Sequence, residues 1–244
     1  SAIAEAMRKA GRGVFEMIPA GTVGKLEGLG GERTTPEAEL TLMADFSRQS
    51  GRKVTFTLVQ SPDYAPDTWE RLLEMVVTAN QTGAQLFPQV PSRPIGLASG
   101  LSGYHAFQRR PTYMKLTHLS LAERAREMAK PEVKAAIMSE GDVPVDQPGS
   151  MANMYQLFQN AAGFMYPLAD PVDYEPDPSN MLGSRAASTG ENVLSLLYDY
   201  MLEQNGAAMC ALMGGANVHE SQEVLRKMLM HPETVTGLSD AGAH

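Results

Sequence analysis

The chain has 244 residues, long enough for one barrel-sized domain or somewhat less, and its 43% hydrophobic and 20% charged residues are typical of a soluble globular protein. A net charge of -8 argues against a nucleic-acid partner or an anionic membrane surface. No apolar run approaches the roughly 20 residues that a membrane helix needs. The single cysteine, Cys210, excludes an internal disulfide and fits a reducing cytoplasm, which is the predicted location.

The first 90 residues repeat a unit in which a helix precedes a short apolar strand. Strands are predicted at residues 14–18, 54–59 and 86–90, and each begins three residues after a glycine. Helical segments separate these strands. Such alternation is typical of a parallel sheet that carries its helices on the outside.

Capping residues mark the starts of the helices. A first helix is predicted over residues 2–10, and Thr35 with Pro36 begins a second one. Asp67 and Glu70 resemble a capping box at the start of a third. The second and third helices are predicted to bury Leu42, Met43 and Phe46, and Trp69, Leu72, Leu73 and Val76, respectively.

The regular pattern breaks after residue 90. Residues 91–120 contain many glycines and prolines without a sustained period, which predicts a long irregular loop. Further helices are predicted from Ser120, from Pro131, at 191–205 and at 221–230, and a Met-rich segment (Met151, Met154, Phe158, Met165) is read as core or lid packing. Residues 207–213 are a strand or a buried turn, and residues 234–238 form a last strand. The expected division is regular β/α units over 1–90, an irregular insertion with helices over 91–190, and the last helix–strand units over 191–244.

The four main strands are half the number in a (β/α)8, TIM-like barrel, so the predicted fold class is α/β with half a barrel. An open doubly wound sheet is the structural rival. No G-x-G-x-x-G turn follows the first strand, which disfavours a dinucleotide-binding sheet. Both ends are expected to be cut from a longer chain, and the two open sheet edges are expected to pair with the missing half or with another copy.

The strongest local signal for chemistry is the stretch from Gly237 to His244, GLSDAGAH. It places Asp240 after the last predicted strand, and barrel enzymes carry their catalytic groups at the carboxyl ends of strands. The alternative is that Asp240 caps a following helix, and taken alone the pattern favours that role.

Longer stretches carry a family resemblance. HPETVTGLSDAGAH at residues 231–244 and, upstream, GRGVFEMIP, GRKVTFTLVQ, QLFPQVPSRPIGLASGL, LADPVDYEPDPS and LLYDYMLEQNG occur in one order along the chain. Together they resemble the second half of the D-aminoacylases, the N-acyl-D-amino-acid deacylases of amidohydrolase family 3. The resemblance implies the C-terminal half of a metal-dependent barrel.

The resemblance also implies a zinc site with one metal ion, or two. Asp240 would be the last-strand aspartate that touches the metal and takes a proton from the attacking water. The H-x-H pair of the family is missing, and the strands where many relatives end in histidine read Glu16-Met-Ile and Leu-Val-Gln60. These departures favour one zinc held by Asp240 and absent residues. Glu16 is a candidate oxygen ligand, although a surface glutamate is the commoner outcome.

Several residues are candidate substrate contacts. Arg93 is the preferred clamp for the substrate carboxylate, because a guanidinium binds a carboxylate through two parallel hydrogen bonds; its alternative role is structural. Gln60 and Gln89 would orient a carbonyl or amide, or else satisfy buried backbone groups. Tyr104 and His244 are further candidates. His105, Arg109 and Arg110 share the irregular stretch with Tyr104, with a loop histidine and a solvated arginine pair as their ordinary roles.

The expected function is hydrolysis of the amide bond of N-acyl-D-amino acids or similar N-acyl substrates, with a complete site that needs the missing N-terminal half and a homo-oligomer as a further expectation. One alternative is an amidohydrolase that acts on cyclic amides or dipeptides, although no strand end carries the lysine usual there. Another is a non-catalytic scaffold, or a fragment that acts only in assembly.

Overall fold

The computed structural model describes residues 1–19, 34–61, 64–147, 150–214 and 221–237. It is a mixed α/β structure. The helices are α1 Ala2–Ala10, α2 Pro36–Ser50, α3 Thr68–Gln81, α4 Pro111–Met114, α5 Leu121–Met128, α6 Pro131–Ser139, α7 Met154–Asn160, α8 Leu182–Thr189, α9 Val193–Gly206 and α10 Glu223–Leu229. The strands are β1 Val14–Met17, β2 Lys53–Thr57, β3 Leu86–Pro91, β4 Ile95–Gly100, β5 Met165–Pro167, β6 Met209–Gly214 and β7 Val235–Gly237. No described helix has the length and apolar character to cross a membrane.

The chain forms two compact units. The first contains residues 1–95 and 214–244, and the second contains residues 96–213. This division differs from the expected one in the region 191–213, where α9 and β6 pack in the second unit.

A parallel sheet of four strands, in the order β1-β2-β3-β7, organises the first unit. The predicted parallel pairing is confirmed: Phe15 lies opposite Val54, and Val54 lies opposite Leu86. Strand β7 pairs in parallel with β3, with Val235 opposite Gln89. All four carboxyl ends therefore lie at one edge of the sheet.

Alternation along the strands divides the sheet into two faces. Val54, Phe56 and Leu58 are completely buried and pack with apolar residues of α2 and α3. Thr55 lies between them in sequence and points to the other face. The predicted stripe of α3 is confirmed, because Trp69, Leu72, Leu73 and Val76 are all buried in this core. At about 25 cal/mol per Å2 of apolar surface, this burial supplies the main favourable term for folding the unit.

The apolar face predicted for α2 is partly wrong. Met43 is buried, but Leu42 is 64% exposed and Phe46 is only partly buried against the core. Leu40 and Ala44 complete the buried face instead. A helical face recurs every three or four residues, so the buried positions 40, 43 and 44 exclude position 42.

The second unit has its own core and a small three-stranded sheet, in the order β4-β6-β5. Strands β5 and β6 are antiparallel. The loop predicted over residues 91–120 is therefore corrected, because residues 95–100 form β4. Gly100 is required there, since a Cβ would lie 2.8 Å from the carbonyl oxygen of Ala208. The predicted packing of Met154, Phe158 and Met165 in a core is confirmed.

Helix caps agree with the sequence in most cases. Thr35 Oγ1 accepts a hydrogen bond from the backbone N–H of Ala38, and Ser120 with Glu123 forms a complete capping box. The capping box predicted at Asp67 is wrong, because this side chain makes no capping hydrogen bond. The backbone of Asp67 has φ -91° and ψ 0°, outside the extended conformation that lets an N-cap side chain reach the first turn.

This difference between two N-cap residues is testable. Thr35→Ala removes a capping hydrogen bond and should lower the free energy of unfolding by about 1 kcal/mol. Asp67→Ala removes none and should lower it by less than half as much. Urea unfolding of both variants beside the parent chain measures the difference, and equal losses would show that Asp67 caps α3 after all.

Candidate functional site

The face of the parallel sheet opposite the helices carries polar side chains, and we call it the polar face. Glu16 on β1, Thr55 on β2 and Gln89 on β3 belong to three adjacent strands. Glu16 lies directly opposite Thr55 in the strand register. Their neighbours in sequence point into the apolar core, so the strand period of two places all three on this face.

Gln89 links the three strands through its side-chain amide. Its Nε2 donates to Oε1 of Glu16 at 3.0 Å and to Oγ1 of Thr55 at 2.9 Å. Oγ1 of Thr55 in turn donates to the backbone carbonyl of Phe87 at 2.9 Å. Of the two roles that the sequence left open for Gln89, satisfying buried backbone groups is not observed among the described residues, because its hydrogen-bond partners there are side chains.

Gly237 on β7 adjoins the same side chain. A Cβ at this position would lie 3.2 Å from both Cβ and Oε1 of Gln89. This approach is tighter than a side chain ordinarily tolerates, so glycine is the residue that leaves room for Gln89. The carbonyl end of the Gln89 side chain consequently lies between β3 and β7.

Gln60 follows β2 and is nearly completely buried, with 3% of its surface exposed. Within the described ranges neither its Nε2 nor its Oε1 has a hydrogen-bond partner. An unpaired buried amide costs roughly 1–3 kcal/mol for each unsatisfied group, so it needs an explanation in a native fold.

The structure distributes the other predicted substrate contacts over both units. Arg93 is exposed just beyond β3 in the first unit. Tyr104 is 45% exposed and belongs to the second unit. Asp240 and His244 lie outside the described residues.

The described residues do not form a zinc site by themselves. No three His, Cys, Asp or Glu side chains within them come together in a way that would hold a metal ion. Glu16 supplies a carboxylate on the polar face, and Gln89 already occupies its Oε1. A complete zinc site would therefore need Asp240 and ligands outside the described part of the chain.

Arg124 and the completely buried His105 belong to one polar cluster in the second unit. The guanidinium of Arg124 donates to four oxygens: the Tyr113 hydroxyl and the backbone carbonyls of Leu101, Thr117 and Leu119. The centre of the Tyr113 ring lies 4.4 Å from the centre of the His105 imidazole. Nδ1 of His105 accepts a hydrogen bond from the backbone N–H of Phe107. The cluster holds the backbone of residues 101–119 in place, which is a structural role.

Arg109 and Arg110 are not the solvated pair that the sequence suggested. Arg109 donates through Nε to the carbonyl of Val143 at 3.0 Å, and Arg110 Nε lies 3.1 Å from a carboxylate oxygen of Asp142. The side chains of Arg110 and Asp142 are mostly buried. Cys210 is completely buried, and burial raises the pKa of its thiol to about 12, which keeps the thiol protonated and unreactive at neutral pH.

Three grooves in the described residues lie elsewhere. One of about 520 Å3 is lined by α2 and α3, where Glu37 pairs with Arg71. A second, also about 520 Å3, is lined by α3 together with Lys227 and His231. The third, about 330 Å3, belongs to the second unit and is lined partly by Tyr166. None of the three includes a residue of the polar face.

Sequence reasoning missed Thr55 and Arg124. For Thr55 the signal was present, because Val54, Phe56 and Leu58 alternate with Thr55 and Thr57 along β2 and so place both threonines on the face away from the core. For Arg124 there was no local signal, since its four acceptors become neighbours only in the folded second unit.

Comparison with known proteins adds no assignment. No protein-family model, curated protein or solved structure matches this chain.

Acid should destabilise the fold through His105. Burial, and next the positive charge of Arg124, lowers the pKa of His105 from 6.5 to about 3. Below pH 6.5 the imidazole of His105 binds a proton in the unfolded chain, whereas in the folded chain it stays neutral down to about pH 3. The stability that His105 contributes is therefore fully present above pH 6.5 and is lost as the pH falls, by up to about 1.4 kcal/mol per pH unit.

Urea unfolding at a series of pH values measures this slope. His105→Gln removes the titrating group and should flatten the decline, whatever it does to the absolute stability. His118→Gln, at an exposed histidine, is the matched control and should keep the parental slope. If the free energy of unfolding of His105→Gln falls with pH as steeply as that of the parent chain, His105 is not the cause of the acid destabilisation.

Proposed function

We propose that this chain supplies part of the active site of a metal-dependent amidohydrolase that cleaves the amide bond of N-acyl amino acids, with N-acyl-D-amino acids as the first class to test. The proposal starts from the resemblance of six stretches to the N-acyl-D-amino-acid deacylases. The D-preference comes from that resemblance alone.

The observation that carries the proposal is the position of β7 beside β3. Gly237 lies opposite Pro91 in the parallel register. Arg93 follows Pro91 by two residues, and Asp240 follows Gly237 by three. Both candidate residues therefore come directly after neighbouring carboxyl strand ends, where parallel α/β sheets bind their ligands.

These candidate residues would have complementary roles in an amide hydrolysis. Asp240 would accept the proton of the attacking water and return it to the leaving nitrogen. Arg93 would hold the substrate carboxylate, and Gln60 and Gln89 would bind the amide group. The zinc that the resemblance implies would polarise the scissile carbonyl, and its ligand set would come mainly from residues outside the described ones, with Glu16 as a candidate.

A half barrel is the finer fold that we propose. Parallel sheets in α/β proteins are normally covered on both faces. Here α2 and α3 cover one face, whereas Val14 and Val235 on the polar face are 57% and 41% exposed. Further strands that close a (β/α)8 barrel would bury these residues and make the polar face the barrel interior. The missing N-terminal half is then the partner that completes the site.

Two other functions remain as alternatives with their own outcomes. A scaffold or assembly fragment would bind its partner polypeptide without hydrolysing any N-acyl substrate. An amidohydrolase for cyclic amides or dipeptides would hydrolyse those compounds and leave linear N-acyl amino acids intact. Parallel assays with the three substrate classes separate these cases.

The central prediction concerns Asp240. In the complete protein that contains this chain, Asp240→Asn should lower kcat for N-acyl-D-amino acids by about 10²- to 10⁴-fold, because the general base is lost. Zinc analysis of the same material should give about one metal ion per complete site. The substrate series should include matched D and L forms of one N-acetyl amino acid.

Asp45→Asn is the matched control. Asp45 pairs with Arg48 on the exposed side of α2, and its loss should leave kcat within about twofold. Full activity of Asp240→Asn would assign Asp240 to helix capping and contradict the proposed mechanism.

A further inference from the structure

We propose that Gln89 is a specificity-determining residue that selects substrates carrying an amide N–H, because the protein fixes its side chain with the carbonyl oxygen Oε1 as the free group. This inference rests on the proposed function and deepens it. It predicts that secondary amides are accepted and that N-methylated, tertiary amides are rejected.

Two acceptors decide which way the Gln89 amide points. An ionised carboxylate only accepts hydrogen bonds, so Glu16 must face the NH2 group of Gln89. The single hydroxyl proton of Thr55 is committed to the carbonyl of Phe87, so Thr55 also accepts from Gln89. Turning the amide over would place Oε1 against two acceptors. The two acceptors therefore decide which end of the Gln89 amide is oxygen and which is nitrogen. A glutamine without such partners could be placed either way round.

Both N–H groups of Gln89 are used in this arrangement. No hydrogen bond among the described residues involves its Oε1, so this oxygen retains its capacity to accept. A polar group of a ligand that meets Oε1 must consequently be a donor. A carbonyl or carboxylate oxygen at the same point would be repelled.

The position of Oε1 connects it with the proposed chemistry. It lies 3.2 Å from where a Cβ of Gly237 would be, at the border of β3 and β7. Asp240 follows Gly237 by three residues. The nitrogen of an N-acyl amino acid is both the hydrogen-bond donor of its amide and the atom that leaves when the C–N bond breaks. An acceptor beside the strand that leads to Asp240 suits that N–H.

The test compares two substrates that differ by one methyl group. The first is an N-acetyl amino acid, and the second is its N-methyl counterpart, which lacks the N–H. Each is assayed with the complete protein and with Gln89→Met, which keeps the length of the side chain and removes the acceptor. The measured quantity is the ratio of kcat/KM for the two substrates, since the steric effect of the methyl group is present in both proteins.

We expect Gln89→Met to lower kcat/KM for the N–H substrate by about 10- to 100-fold and to leave the N-methyl substrate within a few-fold, so that the ratio collapses. Gln85→Met is the matched control: it makes the same replacement at an exposed glutamine just before β3 and should keep the parental ratio. Thr55→Val is a second variant in case Gln89→Met does not fold. It removes one of the two acceptors that hold the amide and should lower the ratio to a smaller extent.

The outcomes separate this inference from the proposed function. If the parent protein hydrolyses the N–H substrate and Gln89→Met lowers kcat/KM for both substrates by the same factor, Gln89 has only a structural role and the inference is wrong. If the parent hydrolyses neither substrate, the proposed function is wrong and the inference falls with it. A collapsed ratio in Gln89→Met and an unchanged ratio in Gln85→Met support it.

Discussion

The parallel pairing of β7 with β3 is the constraint on which the candidate site depends. Val235 and Gln89 are far apart in sequence, yet the strand register places them directly opposite each other. Parallel strands need long crossover connections, and here the intervening chain includes the whole second unit. Because all four strands run in one direction, their carboxyl ends lie at the same sheet edge. Without this pairing, Gly237 would not adjoin the side chain of Gln89.

The two faces of the sheet then take different tasks. The face toward α2 and α3 is completely apolar at Val54, Phe56 and Leu58, and its burial stabilises the first unit. The polar face carries a short chain of hydrogen bonds from Gln89 to Glu16 and Thr55. These side chains stand on strands, whose backbone is held by pairing on both sides in β2 and β3. Groups placed in this way keep their geometry better than groups on loops, which is the property that a specificity-determining residue requires.

The order of elements in the first unit follows from local signals in the sequence. The cap at Thr35 and the alternation around Val54 each depend on neighbouring residues, and the structure confirms both. Local signals predict the wrong structure where contacts between distant residues determine the backbone conformation. Asp67 has the spacing of a capping box but the wrong backbone conformation, and β4 exists because residues 95–100 pair with β6, which lies far along the chain. The orientation of the Gln89 amide belongs to this second kind, because its two acceptors sit on other strands.

Hydrogen-bond satisfaction distinguishes structural polar groups from candidate binding groups in this protein. Arg124 donates to four oxygens of the second unit, so a further ligand would have to displace contacts that hold the backbone. Gln60 is the opposite case, buried at the sheet edge with both amide atoms unpartnered among the described residues. A fold is stable by only about 5–15 kcal/mol, so a cost of roughly 1–3 kcal/mol per unpaired group is a large fraction of it. The fold can bear this cost if hydrogen-bond partners for the Gln60 amide come from outside the described residues. A ligand is one such source, because parallel sheets bind their ligands at the carboxyl ends of strands, and Gln60 follows the carboxyl end of β2.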